Sequence, residues 1–311
     1  MRALVTGGGG FSGRHLVDLL AREGCHVLSL GRTPVALPGA TSIEIDLADS
    51  AGVERAVREG APDLVFHLAA RTPANAPEGT LPEWLGGDPI ATDHLLEAIR
   101  EHAPRARVLV VSSSAVYDDV PSEALPIPET SPLRPLTNYG IAKAEVEKVA
   151  LRFHRAHGLA VVLVRPFNFV GPGQGRGLLP GNLAAQVVAI AEGRTPAVLR
   201  MRHRATSRDW VDVRDAVRAY WMLLEKGTPG EVYNLGSGRG VEIGSLAERL
   251  LAIARVDGRV EETATGPAAG EILAQAADIT KIRLETGWAP DIALDRSLAD
   301  LLDFVRSRPK G

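Results

Sequence analysis

Two hydroxyl-bearing segments in this 311-residue chain have the residue types for proton-transfer chemistry. In "TNYGIAKAEVEKVA" (137–150), Tyr139 and Lys143 stand four residues apart at the start of an amphipathic pattern, hence on one face of a helix. A phenol ionises near pH 10, so acid–base work near neutrality requires surroundings that favour the phenolate by roughly 4 kcal/mol. A lysine one turn away supplies part of that. In "VVSSSAVYDDV" (110–120), serines follow an apolar run. If that run is a strand ending at Ser112 or Ser113, a hydroxyl there is placed to hydrogen-bond the substrate oxygen that Tyr139 protonates. Both segments have plainer readings: Y-x-x-x-K is commonly just a helix surface, and serines at a strand end often satisfy backbone groups, which suits Ser112 and Ser114.

A third segment is "TGGGGFSG" (6–13), where Gly7, Gly10 and Gly13 lie between a short apolar run and the helical pattern "SGRHLVDLLARE". Glycines there allow a tight turn and let the backbone approach a pyrophosphate at the helix N-terminus, which reads as a dinucleotide site rather than a flexible turn. The positive charge of an oxidised nicotinamide would then add to that of Lys143. The second apolar run ends "LSLGRTP", with Gly31 and Arg32 where an acidic residue would hold ribose hydroxyls and repel a 2′-phosphate. This favours NADP(H), with NAD(H) possible if Arg32 is only a solvated turn residue. Asp46 either meets the adenine or caps the helix beginning near Ser50.

These residues need a scaffold, and the sequence describes one. Apolar runs at 3–6, 26–30, 42–45, 64–69, 108–113 and 160–165 alternate with helical patterns. Continuous runs of this kind suit parallel strands covered on both faces, and their alternation with helices predicts an α/β, doubly wound (Rossmann) parallel sheet. Residues 71–89, rich in proline and glycine, are expected to be an irregular loop at the carboxyl edge of the sheet, where ligands bind. After "VGPGQGRGLLPG" (170–181) the rhythm loosens. The expected organisation is a dinucleotide-binding domain over 1–170 and a smaller substrate-binding α/β region over 171–311, with about 209–240 returning to the first.

Composition narrows the setting. Apolar residues at 45% and charged residues at 23% fit a soluble globular chain. A net charge of -3 gives no general attraction to nucleic acid or to anionic membranes. The one cysteine, Cys25, excludes an intramolecular disulfide and makes a thiolate metal site implausible; no metal is expected. The start of the chain has only a brief apolar run, and no segment reaches spanning length, so the expectation is a cytoplasmic protein.

Gly7-x-x-Gly10-x-x-Gly13, "HLAA" (67–70), "SSSAVY", Tyr139-x-x-x-Lys143 and "RPFNFVGPGQ" (165–174) together resemble the extended short-chain dehydrogenase/reductase (NAD-dependent epimerase/dehydratase) superfamily. The stretches 208–238 and 284–302 are most similar to its GDP-4-keto-6-deoxy-mannose reductases. The resemblance implies Ser113, Tyr139 and Lys143 as the catalytic trio. It implies a dinucleotide lined by Gly7, Gly10, Phe11, Ser12, Gly13, Arg32, Asp46, Leu47, Leu68, Ala69, Ala70 and Pro166 together with Tyr139 and Lys143. Arg71, Ser114, Asn168 and Arg208 fall at substrate positions; for Asn168 and Arg208 the plain alternatives are loop hydrogen bonding and a surface ion pair with Asp209 or Asp212. It also implies a homodimer formed by a four-helix bundle of the segments near 88–103 and 138–157.

Sugar 4,6-dehydratases of this superfamily place a glutamate two residues after the catalytic hydroxyl, whereas this chain has Ser114 and Ala115, neither able to act as that base. Asp118 and Asp119 receive no role. Two departures from the resemblance stand out: Asp88 where many relatives have asparagine, and no arginine between 263 and 282. The expected activity is NADPH-dependent reduction of a nucleotide-linked 4-keto-6-deoxy sugar, with a 4-epimerase as the alternative and a non-catalytic dinucleotide sensor as the alternative from another class.

Overall fold

Apart from the edge run at 42–45, each apolar run forms a strand because a side chain on either face finds a helix to pack against. The computed structural model describes residues 1–33, 36–73, 79–117, 120–264 and 272–308. The first half runs β1 (Arg2–Thr6), α1 (Phe11–Arg22), β2 (His26–Gly31), β3 (Ala40–Glu44), α2 (Ser50–Gly60), β4 (Leu64–His67), α3 (Leu81–Leu85), α4 (Asp88–His102), β5 (Arg107–Val111), a 3-10 turn (Ser114–Val116), α5 (Asn138–His157) and β6 (Ala160–Pro166). The second half runs β7 (Asn168–Val170), α6 (Leu179–Ala191), β8 (Val198–Met201), β9 (Ser207–Asp212), α7 (Val213–Lys226), β10 (Val232–Leu235), β11 (Gly240–Glu242), α8 (Ile243–Ala254), β12 (Arg259–Glu262), α9 (Thr280–Thr286) and α10 (Leu294–Ser307).

Seven strands form one parallel sheet in the order β10-β6-β5-β4-β1-β2-β3. This is the doubly wound sheet the sequence predicts. Val108, Leu109 and Val110 of β5 are all fully buried, on opposite faces in turn. Burial of this kind contributes about 1.5–3 kcal/mol per side chain. One face is covered by α1 and α7, the other by α2, α4 and α5. The strand β3 departs from the two-sided pattern, since it is the sheet edge and most of its residues are exposed.

The strand order reverses at β1, with β2 and β3 to one side and β4, β5, β6 and β10 to the other. The loops after β1 and β4 therefore diverge and open a crevice at the carboxyl edge, where ligands bind in such sheets. A separate apolar cluster joins α6, α8 and α10 to β8 and β9. There β11, β9 and β7 make a three-stranded sheet, and β12 pairs with β8. The strand β7 follows β6 directly, carrying the chain from the main sheet into the second cluster.

The 71–89 segment corrects the expectation of an irregular loop. Residues 74–78 lie outside the described residues, but 81–85 form α3. Thr80 and Glu83 make a reciprocal capping box, with Pro82 in the first turn, where its missing N–H is not needed.

Candidate active site

Gly7 leaves the end of β1 at φ +75°, its N–H donating to the Leu30 carbonyl at 2.9 Å. A Cβ at Gly7 would stand 2.8 Å from the Ala69 nitrogen, and one at Gly13 would stand 2.2 Å from the Gly7 oxygen. The turn and the helix behind it can approach this closely only without side chains. Gly10 is the N-cap of α1 and provides no side-chain acceptor, and the first turn, which includes Phe11 and Ser12, contains no acid. Its amide groups and the positive end of the helix are therefore available to an anion such as a pyrophosphate.

The neighbouring positions follow the carboxyl edge. Arg32 is exposed just past β2. Asp46 is also exposed, but it accepts from the Ala48 amide at 3.0 Å and does not cap α2. That cap is Asp49, which accepts from Gly52 at 3.1 Å, three residues beyond the expected position. Leu47 is buried, and its carbonyl bonds the His94 ring at 3.0 Å. Leu68, Ala69 and Ala70 follow β4, half-buried, and the Ala69 amide donates to Thr6 Oγ1 at 3.1 Å. Pro166 closes β6 and is buried. These positions fit a nicotinamide dinucleotide laid across the carboxyl ends of β1, β2 and β4.

The segments that carry Ser113 and Tyr139 meet through one close contact. Thr137 caps α5, its Oγ1 accepting from Gly140 at 3.0 Å. A Cβ at Gly140 would lie 2.2 Å from the Ala115 carbonyl oxygen, so the first turn of α5 rests directly on the Ser114–Val116 turn. This sets the start of α5, with Tyr139, against the turn that follows Ser113. The strand β5 ends at Val111, short of the expected Ser112 or Ser113, although the Ser112 amide still donates to Val164 at 2.8 Å. Ser113 Oγ accepts from the Ala115 amide at 3.1 Å, and its own proton can still be donated to a ligand. Ser114 is buried.

Ser112 differs from its expected backbone-satisfying role: its Oγ donates to Glu147 Oε1 at 2.6 Å. Glu147, one turn beyond Lys143, holds Arg165 through two hydrogen bonds of 2.8 and 2.6 Å. Arg165 continues to the Tyr117 hydroxyl at 2.8 Å, which donates to Asn234 at 2.8 Å. This buried network lies beneath the site and ties α5 to β6 and β10. The sequence carried a signal for it, a charge at the end of the apolar run "AVVLVR" and a helical stripe of Tyr139, Lys143 and Glu147, yet no role followed from it.

Lys143 is only 3% exposed, and its Nζ donates to the Val111 carbonyl at 3.2 Å. The same Nζ is 3.4 Å from Asp88 Oδ2, while Asp88 Oδ1 accepts from the Arg71 amide at 2.9 Å. Trp84 of α3 meets Tyr139 edge-on with ring centroids 5.9 Å apart, and the Arg71 guanidinium lies 5.2 Å above the Trp84 ring. Below them His67 bonds Thr6 at 2.8 Å and Thr92 at 3.0 Å, and Thr92 donates to the Asp88 carbonyl at 2.7 Å. Burial, aided by the Lys143 charge, pulls the His67 pKa down to about 3 and keeps the ring neutral.

On the side of the second cluster, Asn168 of β7 is half-buried, and its buried Nδ2 has no hydrogen-bond partner among the described residues. It pairs in register with Trp210 of β9, two residues beyond the half-buried Arg208. Asp209 is taken up by Ser237, Gly238 and Ala277, and Asp212 by Arg214 and Ser297. Asp118 and Asp119 lie outside the described residues, as does much of the arginine-free stretch, at 265–271. Among the described residues, Glu54, Glu101 and His102 have metal-ligand spacing, and none belongs to this site.

A glycine turn feeding a helix N-terminus, and a hydroxyl, a phenol and an ammonium gathered at the carboxyl edge of one parallel sheet, define a dinucleotide-dependent oxidoreductase. The chain belongs to the NAD dependent epimerase/dehydratase family, whose model matches residues 3–236. It is an NAD(P)-dependent enzyme of the extended short-chain dehydrogenase/reductase type, a nucleotide-sugar-modifying oxidoreductase. It is 31% identical over 308 residues, 99% of this chain and 98% of the relative, to a GDP-6-deoxy-D-mannose reductase of Pseudomonas aeruginosa. A dTDP-glucose 4,6-dehydratase of Streptomyces niveus is 31% identical over 325 residues, 98% of this chain and 93% of that one. UDP-glucose 4-epimerases match at similar identity over the whole chain. The solved structure of RMD from Pseudomonas aeruginosa complexed with NADPH superposes with a TM-score of 0.85 at 29% identity, covering 99% of this chain and 100% of that one.

Proposed function

We propose that the protein reduces a nucleotide-linked 4-keto-6-deoxy-hexose with NADPH. The observation that carries this reading is the Lys143 ammonium, buried against the Val111 carbonyl at the carboxyl end of β5, two residues before Ser113 in the chain and one helical turn from Tyr139. When bound, the cofactor supplies a hydride to the carbonyl carbon. Ser113 orients the carbonyl by donating to its oxygen, and Tyr139 gives that oxygen its proton, so the C=O becomes an alcohol. Lys143 stabilises the phenolate left behind and helps hold the ribose. Gly7, Gly10 and Gly13 admit the pyrophosphate, and Arg32 in place of an acid favours a 2′-phosphate. The relative solved with NADPH supports that preference.

Asn168 and Arg208 are proposed to hold the substrate diphosphate, a role supported by the unpartnered Asn168 donor and by the fork that a guanidinium offers to phosphate oxygens. Arg71 and Ser114 complete the substrate side. Ser114 and Ala115 supply no base for a 4,6-dehydration. The 4-epimerase reading draws support from relatives of that activity at similar identity, and it predicts bound NAD with no net redox change. A homodimer through α4 and α5, which lie side by side on one face of the sheet, and a cytoplasmic setting with no nucleic-acid partner complete the proposal. No described helix is long and apolar enough to cross a membrane.

The test is NADPH oxidation with GDP-4-keto-6-deoxy-mannose, comparing the protein with Tyr139→Phe. The reading expects turnover that falls at least 100-fold in the variant while NADPH binding is kept. Full turnover by Tyr139→Phe would sink the assignment of the proton donor.

A further inference from the structure

A carboxylate stands where the chemistry would be simpler without one. Asp88 opens α4, is 6% exposed, and aims Oδ2 at the Lys143 ammonium 3.4 Å away. Among the described residues that oxygen makes no hydrogen bond of good geometry, so its contact with Lys143 is one of charge rather than a directed bond. Its partner oxygen is fixed by the Arg71 amide, and its backbone carbonyl by Thr92. Asp88 is therefore held rigidly, from two sides, against the cation whose field favours the Tyr139 phenolate.

The other charged and titratable groups nearby do not reproduce this effect. His67 of β4 is neutral, with both ring nitrogens bonded to threonines. Glu147 of α5 is paired with Arg165 of β6. From the α3 side, the Arg71 guanidinium donates to the Glu83 carbonyl and stacks on Trp84. Glu83 itself is engaged by Thr80. Tyr117 and Tyr220 are buried phenols.

We propose that Asp88 is a positioning residue that fixes Lys143 at the end of β5 and offsets part of its charge, so that Tyr139 works as an acid at higher pH than a neutral residue at 88 would allow. Opposite charges this close in a buried site interact strongly, and a third group nearby feels their difference. An uncharged side chain at 88 would leave the full field of Lys143 on the phenol. This inference rests on Tyr139 and Lys143 being the acid–base pair, but not on any choice of sugar or nucleotide.

The test needs no substrate. The chain has four tyrosines, and burial raises the pKa of Tyr117, Tyr220 and Tyr233, the last to about 12. The tyrosinate absorbance that disappears in Tyr139→Phe therefore reports Tyr139 alone. In Asp88→Asn that step is expected at lower pH than in the parent protein, and in Lys143→Met at higher pH. Asp88→Ser, also uncharged, must move it the same way as Asp88→Asn, which guards against misfolding of one variant. A step unmoved in whichever Asp88 variant keeps its circular dichroism spectrum and NADPH binding overturns the proposal. Should GDP-4-keto-6-deoxy-mannose prove not to be the substrate, this titration still decides the role of Asp88.

Discussion

Gly140 and Ala115 approach so closely that a Cβ on the first would lie 2.2 Å from the carbonyl oxygen of the second. This contact sets the start of α5 on the turn that follows Ser113. Gly140→Ala must push the start of α5 away, carrying Tyr139 with it. We expect turnover to fall about 100-fold, as misplacements near 1 Å can do. Stability should fall by about 1–3 kcal/mol, the usual range for overpacking. Steady-state kinetics and urea unfolding of the same preparation check both.

The Glu147–Arg165 pair is buried, with side chains 3% and 5% exposed. Removing one partner leaves an uncompensated charge, so Glu147→Ala should cost about 3–5 kcal/mol. The double variant Glu147→Leu/Arg165→Met should lose less than Glu147→Ala alone. Denaturant unfolding of the three proteins measures this.

His67 gives the fold a defined acid sensitivity. Its pKa is lowered from 6.5 to about 3 by burial and by Lys143, so below pH 6.5 the unfolded chain binds a proton that the native state refuses. Its contribution is fully present above pH 6.5 and is lost as pH falls toward 3. Between pH 7 and pH 5 the loss should be about 2 kcal/mol. His67→Asn should be less stable at pH 7 but should lose this slope, which urea melts across that range would show.

Arg32 stands exposed just past β2, where the proposed preference for NADPH has it meet the 2′-phosphate. Replacing it with aspartate should weaken NADPH binding roughly 10- to 100-fold, in line with loss of a hydrogen bond to a charged group, about 1.5–3 kcal/mol. NADH binding should hold or improve. Fluorescence titrations with both cofactors test this, and equal losses for both would assign Arg32 a structural role.

Much of this was legible in the sequence because strands buried on both faces must be continuously apolar. The runs at 3–6, 26–30 and 160–165 lie within β1, β2 and β6 almost residue for residue. The glycine turn was legible for a related reason, since only a missing Cβ permits its contacts. What was hidden is set through space. Gly140 reads as an ordinary glycine until Ala115, twenty-five residues earlier, is folded against it. The helix α3 was obscured by the prolines and glycines around its capping box, although Thr80 and Glu83 had the required spacing. Ser112 looked like a strand-end serine because its partner, Glu147, arrives from a different element. The ion pair of Asp88 with Lys143 joins α4 to α5, and nothing local in either segment announces it.

The most direct measurement is to supply GDP-4-keto-6-deoxy-mannose with NADPH deuterated at nicotinamide C4, using each of the two stereoisomers in turn, and to weigh the sugar product. One deuterium is expected on the product sugar from one of the two cofactors, with one NADP⁺ formed per sugar reduced and both formed at least 100-fold more slowly by Tyr139→Phe. No deuterium in the sugar and no NADP⁺ formed would contradict the reductase reading, and interconversion of a nucleotide-linked 4-hydroxy sugar with its C4 epimer on bound NAD, with no net cofactor oxidation, would establish the epimerase reading.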